Sequence, residues 1–184
     1  MTAYYDIGTY TWKITTISTN AQKWFDRGLT WAYGFYYEEA TRCFKRAAKA
    51  DPNCAMAYWG IAYAVGPNYN RQWQALDKVE LPRILKEAYG AVNKALDLGK
   101  NATALEYALI EAIAKRHPND KPPVDFMVWT NAYADAMRVV YKNYPNDDDV
   151  STLFAEAIMS RTPWKLWDLT MGEPMQGAST LEAR

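Results

Sequence analysis

Few side chains in this sequence can do chemistry, and their spacing limits what they could do. His117 is the only histidine. It stands directly before Pro118, where a helix is expected to end and a cationic ring would complement the negative pole of the helix dipole. Cys43 and Cys54 are the only cysteines. They are too few for a disulfide framework and lack metal-site spacing, so both read as small buried apolar side chains. The acid pairs Glu38-Glu39 and Asp147-Asp148 are adjacent, so on a helix they point in different directions and make a poor catalytic dyad. The run Asp147-Asp148-Asp149 suits a helix start better than a metal ion, because no further ligands accompany it. There is no Gly-rich phosphate loop, Gly-x-Ser-x-Gly elbow or His-Glu-x-x-His helix. The expectation is therefore no catalytic residue, no metal and no cofactor.

Bulk properties narrow the classes further. The 184 residues carry a formal net charge of zero, so no global field attracts nucleic acid. No stretch approaches the roughly 18 uninterrupted apolar residues of a membrane span, and the N-terminus has no basic region followed by an apolar run. The expected protein is soluble and cytoplasmic, with no nucleic acid and no membrane among its partners.

What is abundant is aromatic. Between residues 24 and 37 stand Trp24, Phe25, Trp31, Tyr33, Phe35, Tyr36 and Tyr37. Trp24, Gly28 and Trp31 recur at intervals of four and three, as do Ala40, Phe44 and Ala47, so each set marks one face of a helix. Gly34 falls between the two patterns, Glu38-Glu39 opens the second, and Lys45, Arg46 and Lys49 gather toward its end. The spacing predicts a helix, a tight turn and a second helix, with small residues allowing close approach and large rings filling the space beside them.

In these residues the chain resembles the tetratricopeptide repeat family, a helix-turn-helix unit of about 34 residues with Trp, Gly, an aromatic, Ala, Phe, Ala and Pro at fixed offsets. Trp24, Gly28, Trp31, Ala40, Phe44, Ala47 and Pro52 occupy those offsets, while Arg27 and Trp31 replace the usual Leu and Tyr. A second unit begins at Ala55, with Tyr58, Ala62 and Val65 on the expected face. Its second helix, marked by Ala88, Val92 and Ala95, comes about fourteen residues later than the period requires. The residues between form an insertion, 66–82, opened by Gly66-Pro67, with Pro82 suited to the first turn of the next helix. In a third unit, Thr103 and Glu106 form a capping box before Leu105, Ala108, Leu109 and Ala112. A helix over roughly 124–144 and another carrying Leu153, Phe154, Ala157 and Ile158 follow. Ser179 to Glu182 reads as the beginning of one more helix.

The expected fold is all-α, with antiparallel helix-turn-helix repeats stacked as a short superhelix. Residues 1–19 form an N-terminal extension, 20–161 the repeat domain and 162–184 an irregular tail. The last repeat helix lacks a partner, so its apolar face is expected to be open to a longer array or to a second copy of the chain.

The resemblance also implies a site, since in the family the first helix of each unit lines a concave surface that contacts the ligand. Carried onto this chain, those positions are Gln22, Phe25, Leu29 and Tyr33 in the first unit and Met56, Trp59 and Tyr63 in the second. With Asn68, Tyr69, Asn70, Arg71 and Trp73 from the insertion they would form an apolar groove rimmed by polar donors, suited to a peptide or a flat organic molecule. The expected function is a non-catalytic interaction module binding a peptide or protein. The alternative is a small-molecule-binding or catalytic accessory protein using the same groove as a pocket. Should the insertion fold over the groove, these rings would pack on one another as a second core.

Overall fold

The structure is a computed structural model and describes residues 4–184. Seven helices follow one another: α1 (Thr19–Tyr33), α2 (Tyr37–Ala50), α3 (Ala55–Val65), α4 (Glu80–Leu98), α5 (Ala104–Arg116), α6 (Met127–Asn143) and α7 (Asp148–Met159). The protein is all-α. Each helix packs on the next, and α3 also touches both α1 and α5, so these three share one layer.

Local chemistry sets most of the helix ends. Ser18 caps α1 by accepting the Ala21 N–H (3.2 Å), and Asp147 caps α7 by accepting the Val150 N–H (2.9 Å). Thr103 and Glu106 form the expected reciprocal box at α5, which satisfies two donors that a helix start leaves free. Glu38 and Glu39 lie in the first turn of α2 and Lys49 in its last. Between α1 and α2 the left-handed residue is Phe35 (φ 62°), while Gly34 stays at φ −81°.

Helices α1, α2 and α3 meet around one ring. Phe44 of α2 is fully buried, and a Cβ on Gly28 would come within 2.6 Å of it and one on Gly60 within 2.3 Å. Two glycines therefore admit one phenylalanine, whose full burial contributes roughly 1.5–3 kcal/mol. Trp24 and Trp31 pack on the edge of this core and stay half-buried. Tyr4 leans on Trp24 (5.1 Å between rings), with the Arg27 guanidinium 4.1 Å from the Tyr4 ring centre.

The insertion takes a defined form, and two expectations need correction. The insertion is a built element: Asn68 and Arg71 bridge across a tight turn, Trp73–Ala75 form a short 3-10 turn, and α4 begins at Glu80 with Pro82 in its first turn. The face of α7 is not open, since Leu153 and Ile158 are fully buried and Phe154 stacks on Tyr141 at 5.0 Å. Residues 179–182 form a turn instead of a helix, because Glu182 is drawn to Arg138 (2.6 Å) and the Thr180 hydroxyl donates to the Leu166 carbonyl (2.5 Å). The tail also contains a small antiparallel pair, β1 (Trp167–Asp168) with β2 (Glu173–Pro174). Exposed apolar surface lies there, at Trp164 (71% exposed) and Leu169 (92%). Among the described residues no helix is long and apolar enough to cross a membrane.

Candidate functional site

The ring-bearing positions of α1 and α3 pack together, but they are not open. Phe25 and Leu29 are fully buried, Trp59 and Tyr63 nearly so, and the last two rings stack at 5.3 Å and 5°. Tyr33 remains half-buried, and its hydroxyl donates to Asp149 of α7 (2.7 Å). Helix α1 carries two apolar stripes. The one with Phe25 and Leu29 faces the core, while Trp24 and Trp31 lie at its margin.

The insertion residues do not join these rings. Trp73 is buried in a separate cluster with Ile84, Leu85 and Trp129, stacked on Phe126 at 4.6 Å. Asn68 is buried and closes its own turn, accepting the N–H groups of Asn70 (2.9 Å) and Arg71 (3.0 Å). The Tyr69 hydroxyl accepts the Trp164 N–H (3.0 Å), Asn70 is exposed, and Arg71 pairs with Glu80. A single groove built from all twelve residues is therefore not what folds. The rings form a core, and the insertion has a core of its own.

The chain's own N-terminal segment packs over Phe25 and Trp59, on the face where α1 and α3 meet. Residues 10–16 run without helix or strand and alternate, with Trp12, Ile14 and Thr16 turned inward and Thr11, Lys13 and Thr15 exposed. The Trp12 ring lies 6.4 Å from Phe25 and 6.3 Å from Trp59. Gln22 reads the segment's main chain with one amide, donating to the Trp12 carbonyl (2.9 Å) and accepting the Ile14 N–H (3.0 Å).

Four carboxylates hold the rest of the segment. Asp26 of α1 accepts the Thr11 hydroxyl (2.8 Å) and the Trp12 N–H (3.2 Å). Glu106 of α5 accepts both the N–H and the hydroxyl of Thr15 (2.6 Å each). Asp51, after α2, accepts the Thr16 hydroxyl (2.5 Å), and Asp149 of α7 accepts the Tyr10 hydroxyl. Burial pushes the Asp26 and Asp149 carboxyls above the usual range, against the hydrogen bonds they receive. The alternation of Tyr10, Trp12 and Ile14 with Thr11, Lys13 and Thr15 is the sequence signal for this extended segment.

Behind the rings lies a buried polar group. Arg116, at the end of α5, stands 3.8 Å from Glu156 of α7, donates to the Pro67 carbonyl, and has its guanidinium 4.9 Å from the Tyr133 ring centre. The Tyr133 hydroxyl sits beside it outside hydrogen-bonding geometry. Such an arrangement fixes the root of the insertion to α5 and α7. It offers neither a nucleophile with a base nor a metal-ligand set, and among the described residues no group of three His, Cys, Asp or Glu side chains could hold a metal ion. Compared with known proteins, the chain matches no family model, no curated protein and no solved structure.

His117 corrects another expectation. It does cap α5, but it is buried, with neither ring nitrogen hydrogen-bonded and the Trp73 ring 5.8 Å away. Burial, followed by the neighbouring Arg116 charge, holds its pKa well below the ordinary 6.5, so the ring is neutral and no dipole partner. Gly66 leaves room for it, since a Cβ there would lie 2.6 Å from the ring. The linkage has a definite sign. The unfolded chain takes up a proton as pH falls below about 6.5, whereas the folded chain does not until well below that. The stability this group contributes is thus fully present above pH 6.5 and is lost as pH falls toward the folded pKa. Urea unfolding should show a loss of up to about 1.4 kcal/mol per pH unit in that window. His117→Leu should remove this part of the slope, and an unchanged slope would contradict a buried neutral ring.

Proposed function

We propose that the chain is a non-catalytic interaction module of tetratricopeptide-repeat type, which binds an extended segment of a protein partner on its concave face. One observation carries the reading: a stretch of extended main chain already lies there, gripped by Gln22 at the Trp12 carbonyl and the Ile14 N–H and by side chains from α1, α5 and α7. Reading the carbonyl of one residue and the N–H of the residue two further on suits an extended chain of many sequences. The rings that would line a small-molecule pocket are packed on one another and on Trp12, which favours the peptide reading over the pocket one. A cytoplasmic setting belongs to the same reading, and the two cysteines, free and buried, are compatible with a reducing compartment.

Site-specific photo-crosslinking in cells tests this reading. A photoreactive residue placed at Lys23, which is exposed on α1 beside residues 5–11, should trap partner chains. The same residue at Val139, which is exposed on α6, should not. Trapping from Val139 alone would contradict the assignment.

A further inference from the structure

The segment that covers the concave face does not neutralise it. Asp26, Asp51, Glu106 and Asp149 all accept hydrogen bonds from residues 10–16, and every donor in the segment is an uncharged N–H or O–H. Among the described residues none of these four acids lies within ion-pair distance of a lysine or arginine. Lys13, the segment's own cation, is exposed and makes no such pair either. A dehydrated carboxylate is held more strongly by a cationic donor than by a neutral one. The burial that raises the Asp26 and Asp149 pKa values is the same mismatch seen from the acids' side.

The segment is also incompletely seated. Trp12 is only half-buried, and between residues 5–11 and α1 an open cleft of about 340 Å³ remains, lined in part by Lys23, Asp26 and Arg27. Its surest grip is main-chain, through Gln22, which any extended peptide can supply.

We propose that the concave face is a binding site for an extended basic peptide with one aromatic anchor, and that residues 10–16 are a built-in competitor which such a peptide displaces. This rests on the peptide-binding reading above and names the class of partner. The anchor takes the place of Trp12 between Phe25 and Trp59, and Gln22 takes the peptide's carbonyl and N–H. Lysine or arginine side chains then meet Asp26, Glu106 and Asp51, where Thr11, Thr15 and Thr16 now donate.

The test uses the full chain and two fluorescein-labelled heptapeptides, read by anisotropy. One is Tyr-Thr-Trp-Lys-Ile-Thr-Thr, the sequence of residues 10–16, and the other has its three threonines replaced by lysine. Each is titrated against the parent and against a full-length Trp12→Ala/Thr15→Ala variant in which the competitor is weakened. Thr11→Ala/Thr15→Ala, which changes two exposed side chains, serves should the first variant fold poorly. The lysine peptide should bind the weakened chain about tenfold or more tighter than it binds the parent, and tighter than the threonine peptide by a similar factor. Raised salt and Glu106→Gln should both erode that preference. Equal binding of the two peptides by the weakened chain would overturn the basic class while leaving peptide binding intact. Equal binding of the lysine peptide by parent and weakened chain would overturn the competitor. If neither peptide bound a variant that keeps its helicity, this inference and the peptide-binding reading would fall together.

Discussion

Arg116→Met is expected to lower the stability of the folded chain by about 3–5 kcal/mol, because removing one member of a buried ion pair leaves the other charge without a counterpart. Here the stranded group is Glu156, whose remaining partner is the Ser160 hydroxyl at 3.0 Å. The Pro67 carbonyl at the root of the insertion loses its donor as well. Arg116→Met/Glu156→Leu should recover much of the loss, since an apolar pair of similar volume avoids burying either charge. Urea unfolding of the two single variants and the double variant checks this. Additive losses would mean that the two side chains, 3.8 Å apart, are not energetically coupled.

Phe44→Ala should cost a comparable amount, about 3–5 kcal/mol, through the lost ring and the cavity it leaves between three helices. The more discriminating result is a cycle with Gly60→Ala. In the parent the added methyl meets the Phe44 ring at 2.3 Å and should cost about 1–3 kcal/mol by overpacking. In the Phe44→Ala background that cost should disappear, or turn into a gain, because the methyl then fills the space the ring has left and glycine is itself a poor helix former. Equal cost in both backgrounds would contradict the packing of α1, α2 and α3 around one ring.

What could be read from the sequence follows from the range of the forces involved. The caps at Thr103 and Asp147 and the acidic first turn of α2 depend on neighbours three or four residues away, and they stand as expected. The small residues Gly28, Ala40 and Ala47 did mark a close helix contact. The division of α1 into a packing stripe and a ligand stripe did not survive, because both stripes are apolar and nothing local distinguishes them. Phe25 and Leu29 are fully buried, and Phe25 packs on Phe44 and Trp59 of the following helices as well as on Trp12. The place of Trp73 in the insertion points to the groove, yet the ring fills a cluster that also needs Phe126 and Trp129, more than fifty residues further on. The alternating pattern of residues 10–16 was present in the sequence as a strand-like period, but only the acceptors on α1, α5 and α7 give it a place to dock.

Residue-resolved amide exchange on the full-length chain tests most directly whether the concave face holds an extended main chain. The N–H groups of Trp12, Ile14 and Thr15 donate to Asp26, Gln22 and Glu106, whereas those of Thr11 and Lys13 have no acceptor among the described residues. Exchange should therefore be slowed at residues 12, 14 and 15 and stay fast at 11 and 13, and Gln22→Ala should raise the rate at Ile14 most. Exchange at unfolded-peptide rates across all five positions would contradict a segment docked on the concave face.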